Sequence, residues 1–299
     1  MIRACLAGVL GLAVTLGAGQ KTFRTATDVV LVPVTVLGRG NALVRGLAQA
    51  DFEVFEDGTR QTLTFFSEGD AGAAVPLHLG LLLDTSGSME KELATAATAA
   101  IRFVNALDEA ADVTFVDFAT EVRVSRFSPA SYPHLFERMR DHEAEGATAL
   151  YDAIALYLAA ASEQDGQKVL LLYSDGEDST SSTNYGRMSE MLRLSSDVMV
   201  YAIGYLDSLS GNSRGMSQLR LNDLAHQTGG EAFYPQGRQA LDDIYARIKD
   251  EISSRYTLGY VSSNAKADGK WRKLEVRAIA PAAKGAKVRS RPGYFAPVR

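Results

Sequence analysis

Four short, predominantly apolar runs constrain the fold of this chain more than any other feature. They lie at 77–83, 113–118, 169–173 and 198–203, and such runs without strict alternation are typical of strands buried on both faces. Around them, apolar residues recur with a helical period at 89–107, 149–161, 184–194, 218–228 and 240–253. Strands alternating with helices build βαβ units, so the middle of the chain is read as an α/β unit: a Rossmann-like, doubly wound, mostly parallel sheet. Ligands of such sheets bind outside the carboxyl ends of the strands.

The two flanks read differently. Over 22–68 the pattern is strand-like, with runs at 29–36, 52–56 and 61–66 and Asp57-Gly58 as a tight turn. Pro33 inside the first run predicts an edge strand or a bulge. Strand character returns over 256–299, at 256–261 and 271–278, with a connecting turn between Asn264 and Gly269. Neither flank is long enough to bury a sheet alone, so the two are expected to pair. The α/β unit, placed at 76–255, then becomes an insertion into a small β-sandwich, with its core filled by Tyr256, Tyr260, Trp271, Tyr294 and Phe295.

The first 19 residues have the layout of a secretory signal: Arg3, then an apolar stretch over 4–16, then Gly17-Ala18-Gly19. That stretch is too short to anchor the chain across a bilayer. The reading is therefore an exported protein, periplasmic or extracellular, without a transmembrane segment once the signal is removed. The single cysteine, Cys5, falls within it, so disulfides and thiolate chemistry are not expected of the mature chain. With 31 Lys and Arg against 36 Asp and Glu, net charge −5, no basic field exists to gather nucleic acid. His78, His134, His142 and His226 have no mutual spacing that points to zinc.

Asp84-Thr85-Ser86-Gly87-Ser88 follows the first apolar strand directly. In an irregular loop, side chains at alternate positions can converge, and Gly87 would let the backbone turn. One carboxylate and two hydroxyls form a hard oxygen set suited to Mg²⁺, with Mn²⁺ or Ca²⁺ as possible substitutes. Two further loops belong on the same face: Gly146-Ala147-Thr148 ahead of a helix, and Ser174-Asp175-Gly176 at the end of a strand. They offer Thr148 and Asp175. Asp178, Asp117 and Glu121 are weaker candidates for the same rim, as are the loops over 179–184 and 206–220.

The order of Asp-x-Ser-x-Ser, lone threonine and strand-ending aspartate resembles the metal-ion-dependent adhesion site of von Willebrand factor type A domains, over about 76–255. Gly46-Leu47, Asp51-Phe52-Glu53-Val54 and Glu56-Asp57-Gly58 with Gln61 are similar to the leader of exported bacterial proteins related to that family. The resemblance implies a metal held by the hydroxyls of Ser86, Ser88 and Thr148, with Asp84 and Asp175 binding directly or through water. It also implies a position left open for a carboxylate from a protein or surface polymer, and a helix over 240–253 that would shift when the site fills.

Three function classes remain. The first is a metal-dependent binding module without catalysis. The second is a Mg²⁺-dependent hydrolase or phosphotransferase with Asp84 as nucleophile. Against it, the position two residues on is Ser86 rather than an acid, no Gly-x-Ser-x-Gly elbow occurs, and no histidine has an evident orienting partner. The third is a structural assembly subunit.

Overall fold

A computed structural model describes residues 29–69, 76–107 and 109–298; the expected signal over 1–19 lies outside them. The first strands are β1 (Val29–Leu37), β2 (Phe52–Glu56), β3 (Thr59–Gln61) and β4 (Leu63–Glu68). The α/β unit follows as β5 (Leu77–Asp84), α1 (Leu93–Ala106), β6 (Ala110–Phe118), β7 (Val122–Phe127), α2 (Tyr132–Arg140), α3 (Leu150–Ala161), β8 (Gln167–Ser174), α4 (Tyr185–Leu194), β9 (Val198–Gly204), α5 (Gly211–His226), β10 (Glu231–Phe233) and α6 (Gly237–Ser254). The chain then returns to strands in β11 (Tyr256–Val261), β12 (Trp271–Ala278), β13 (Lys287–Ser290) and β14 (Gly293–Phe295).

The central sheet runs β10-β9-β8-β5-β6-β7, parallel except for β7. Its inner strands are predominantly apolar because each face has its own core. Leu79, Leu81, Val169 and Leu171 point to α1, α2 and α6, whereas Leu82, Leu170 and Leu172 point to α3, α4 and α5. The strand order turns back on either side of β5, which makes the carboxyl end of β5 a topological switch point where a crevice opens.

The terminal segments do pair with each other, in two antiparallel sheets ordered β13-β1-β11-β4 and β14-β12-β2-β3. Each mixes strands from before and after the α/β unit, so the sandwich cannot form until both ends of the chain arrive. Asp57 and Gly58 both have positive φ, 48° and 81°, as a two-residue hairpin with right-handed strand twist requires. Pro33 is not on an edge strand. β1 lies between β11 and β13, but β13 pairs only with 34–37, so at Pro33 the flank toward β13 is already open and no donor is missed. Tyr256, Tyr260 and Tyr294 fill the sandwich core. Trp271 and Phe295 instead pack edge to face on each other at 5.0 Å, with Arg193 above the indole.

Two buried ionic networks fasten this frame. Inside the sandwich, Glu56 accepts from Tyr260 and Tyr294 at 2.8 Å, Ser262 at 2.6 Å and Arg272 at 3.0 Å. Burial raises the carboxyl pKa of Glu56, but these bonds overcome it and leave the net shift downward. At the junction with the α/β unit, Arg289 of β13 donates to Glu231, to Glu251 of α6 and, at 2.9 Å, to the Gly229 carbonyl. Glu251 is fully buried and also receives Tyr201 at 3.0 Å and Arg247 at 3.1 Å. The helix that would shift with occupancy is therefore tied to the sandwich by a desolvated ion pair. Removing one partner of such a pair leaves a buried charge uncompensated. Arg289→Met is predicted to destabilise the chain by about 3–5 kcal/mol in urea unfolding, and Glu251→Gln by less, since Arg289 would still be paired with Glu231.

Candidate metal centre at the carboxyl end of the central sheet

Parallel register assembles the centre. Leu83 of β5 lies opposite Tyr173 of β8, so the next residues, Asp84 and Ser174, leave their strands side by side. Ser174 donates to Asp84 Oδ2 at 2.6 Å, and Ser86 donates to Asp84 Oδ1 through its hydroxyl at 2.5 Å and its amide at 3.0 Å. Ser86 Oγ lies 3.2 Å from Ser88 Oγ, which is exposed at the mouth. Gly87 does not need a left-handed conformation. It begins a 3₁₀ turn, Gly87–Met89, that carries the chain toward α1.

The Thr148 loop is stitched to the Asp84 loop through the main chain. Glu145 N–H donates to the Thr85 carbonyl at 3.0 Å, and Gly87 N–H donates to the Gly146 carbonyl at 3.1 Å. Thr148 itself is gripped by the loop after β8: its amide donates to Ser179 Oγ at 3.0 Å, and its carbonyl accepts from the Ser179 and Thr180 amides. Thr148 is buried, and its placement rests on these main-chain bonds.

Asp84 and Asp175 are both fully buried. Asp175 Oδ1 accepts the Glu177 amide at 2.9 Å, but Oδ2 has no hydrogen-bond partner. Burial, and to a lesser extent the neighbouring Asp175, push the Asp84 carboxyl up to about 7 against the pull of Ser174 and Ser86. Among the described residues neither carboxylate has an ion pair. A buried acceptor left unsatisfied beside a second buried carboxylate is costly, and a small divalent cation is the compensation that this oxygen-only donor set fits. Asp84, Ser86, Ser88, Thr148 and Asp175 are the side chains available to hold it. Among the described residues no three His, Cys, Asp or Glu side chains gather as a metal cage.

Other sequence candidates have different work. Asp178 accepts from the Tyr151 amide at 3.1 Å and from Ser181 at 2.5 Å, capping the start of α3. Asp117 is buried against Arg138, with Arg123 at 3.8 Å, and Glu121 pairs with Arg123 at 3.5 Å on the surface. Much of 206–220 is the first half of α5 rather than a rim loop. Ser174 is the residue that motif reading passed over, although its position before Asp175 at the end of a parallel strand was the available signal.

Residues 78–247 match the model of the von Willebrand factor type A domain, more than half of the 299 residues. The chain belongs to that family. Similar solved structures include the minor pilin PilB from Streptococcus sanguinis, at 15% identity and TM-score 0.48 over 62% of this chain and 63% of the pilin. A von Willebrand factor type A protein from Catenulispora acidiphila has 13% identity and TM-score 0.48 over 83% of this chain and 73% of its own. BatB from Bacteroides thetaiotaomicron has 17% identity and TM-score 0.44 over 60% and 100%. These are likenesses of fold, and the first is matched over less than two thirds of its length. No curated protein sequence matches the chain. Among the described residues no helix is long and apolar enough to cross a membrane.

The raised Asp84 pKa gives a signed expectation for the metal-free chain. The folded value, about 7, lies above the ordinary 3.8, so the cost of the buried charge is absent below 3.8, grows as pH rises and is complete above 7. In chelator at pH 8, Asp84→Asn should therefore raise stability by ~1–3 kcal/mol, and by little at pH 4. Equal effects at both pH values would contradict a charge-based cost.

Proposed function

We propose that this von Willebrand factor type A domain is a metal-dependent binding module of adhesion type, which captures an acidic group of a protein or surface polymer outside the cytoplasm. Asp84, Ser86, Ser88, Thr148 and Asp175 would hold Mg²⁺. The unpartnered, fully buried Asp175 Oδ2 beside a second buried carboxylate carries this reading.

When bound, the cation supplies a Lewis-acidic position for a ligand carboxylate. The chain's own residues do the rest. Ser174 orients Asp84 by holding one oxygen, and Ser86 holds the other. Ser88, exposed at the mouth, marks the side from which a partner approaches. Two carboxylates match a divalent ion without surplus negative charge, so nothing in the ligand set would repel an anionic partner from an open coordination position. Two nearby carboxylates, Asp178 and Asp152, are engaged in fixing the loop after β8 to α3. This supports a role in binding rather than turnover.

Mg²⁺ should stabilise the folded chain in a concentration-dependent way, by about 2.7 kcal/mol at a hundredfold excess over the dissociation constant, read as a rising unfolding midpoint. Thr148→Ala and Asp175→Asn should abolish the response while the chain stays folded in chelator. Mg²⁺-dependent stabilisation undiminished in both variants would refute the assignment.

A further inference from the structure

The opposite end of the central sheet carries a second feature that the metal centre does not use. A cavity of about 740 Å³ opens between the sandwich and the amino ends of β8 and β9, where Gln167, Val198 and Met199 line it. That size falls in the range of about 300–1,000 Å³ typical of small-molecule sites. One wall is the outward face of β1, β11 and β4. There Val29, Leu31, Phe65 and Val261 are 46%, 50%, 40% and 39% exposed, adjoining one another across the registers Val29↔Val261, Leu31↔Gly259 and Gly259↔Phe65. Gly259 sits under this patch; a Cβ there would meet Phe65 at 2.7 Å and Leu31 at 3.1 Å. The side chains thus form a continuous apolar floor rather than scattered surface residues, and a patch of this kind is characteristic of a binding surface.

The charged lining is unequal in sign. Asp197 is held by Lys168, Arg272 by Glu56 at 3.0 Å, and Arg255 donates to Gln167. Arg291 differs from these. It is 3% exposed, and its hydrogen bonds go to the carbonyls of Gly293 at 2.7 Å and Arg193 at 2.9 Å. Among the described residues no carboxylate forms an ion pair with it, and burial lowers its guanidinium to about 10, offset only in part by Asp197. Lys266 adds a second cation at the exposed rim. A buried guanidinium satisfied by neutral acceptors, next to an apolar floor, favours an anion attached to a hydrocarbon.

We propose that this cavity binds a single-chain amphiphilic carboxylate, with the hydrocarbon on the Val29–Leu31–Phe65–Val261 floor and the carboxylate toward Arg291 and Lys266. The site is independent of the metal centre, since the two lie at opposite ends of the parallel strands.

The lone tryptophan, Trp271, packs on Phe295, which lines the cavity, and so provides the readout. The full chain in chelator is titrated with dodecanoate below its micellar concentration, and in parallel with dodecanol and dodecyltrimethylammonium. A saturable change in Trp271 emission is expected with dodecanoate, at least tenfold weaker with dodecanol and absent with the cation. Leu31→Glu, at an exposed position, should weaken dodecanoate tenfold or more without altering the unfolding midpoint. Arg291→Gln should remove the preference for the acid over the alcohol; should that variant unfold, Lys266→Glu reads the same preference from the rim. No saturable change, equal affinity for acid and alcohol, or unaltered affinity in Leu31→Glu would overturn the proposal. So would a dimer that Leu31→Glu disperses and dodecanoate leaves intact, which would assign the face to a second copy of the chain.

Discussion

Two carboxylates buried at adjacent strand ends are the constraint around which the upper half of this molecule is arranged. Asp84 and Asp175 leave neighbouring parallel strands at the switch point of the sheet, where register alone brings them close. Nothing basic among the described residues neutralises them. Instead Ser174 and Ser86 saturate Asp84, and the Thr85, Gly87, Glu145 and Gly146 main chains lock the neighbouring loop against it. A pair of buried acids without a basic partner is the feature on which the proposed cation site rests.

The lower half resolves its buried charges differently. Glu56 is surrounded by four donors, and Glu251 by Arg289, Arg247 and Tyr201. These networks fix the sandwich internally and fix it to α6, so the inserted domain is joined to its host by directional bonds as well as by apolar packing. Movement of α6 would have to carry β13 with it or break the pairing of Arg289. Arg291 stands out against this background because, among the described residues, its hydrogen bonds go to carbonyl oxygens and no carboxylate forms an ion pair with it.

The α/β unit is legible because strands buried on both faces are predominantly apolar, and the four runs in the sequence are β5, β6, β8 and β9. What escaped had weaker patterns. β7 is an edge strand that alternates and carries Arg123 and Arg126; β10 is three residues long; and α2 has few buried residues, Leu135 and Met139 among them. The first turns of α5 hold Gly211, Gly215 and several polar residues, which local propensity reads as loop; packing of Ser217, Leu221 and Leu224 against the sheet makes them helical. Pro33, expected to mark an edge strand or a bulge, marks neither, because local sequence cannot show where a partner strand stops.

The sequence by itself determined the chemistry: oxygen donors only, in three short segments, each next to a strand or helix whose hydrophobic period fixes its type. It also determined that two distant flanks lacked enough apolar surface to fold separately. Tertiary structure alone decided that Ser174 bonds to Asp84 beside Ser86 while Asp178 caps a helix, and that Arg289 clamps the sandwich to α6. Those outcomes depend on register and on contacts between residues far apart in the chain, and no local pattern encodes the distance between two strand ends.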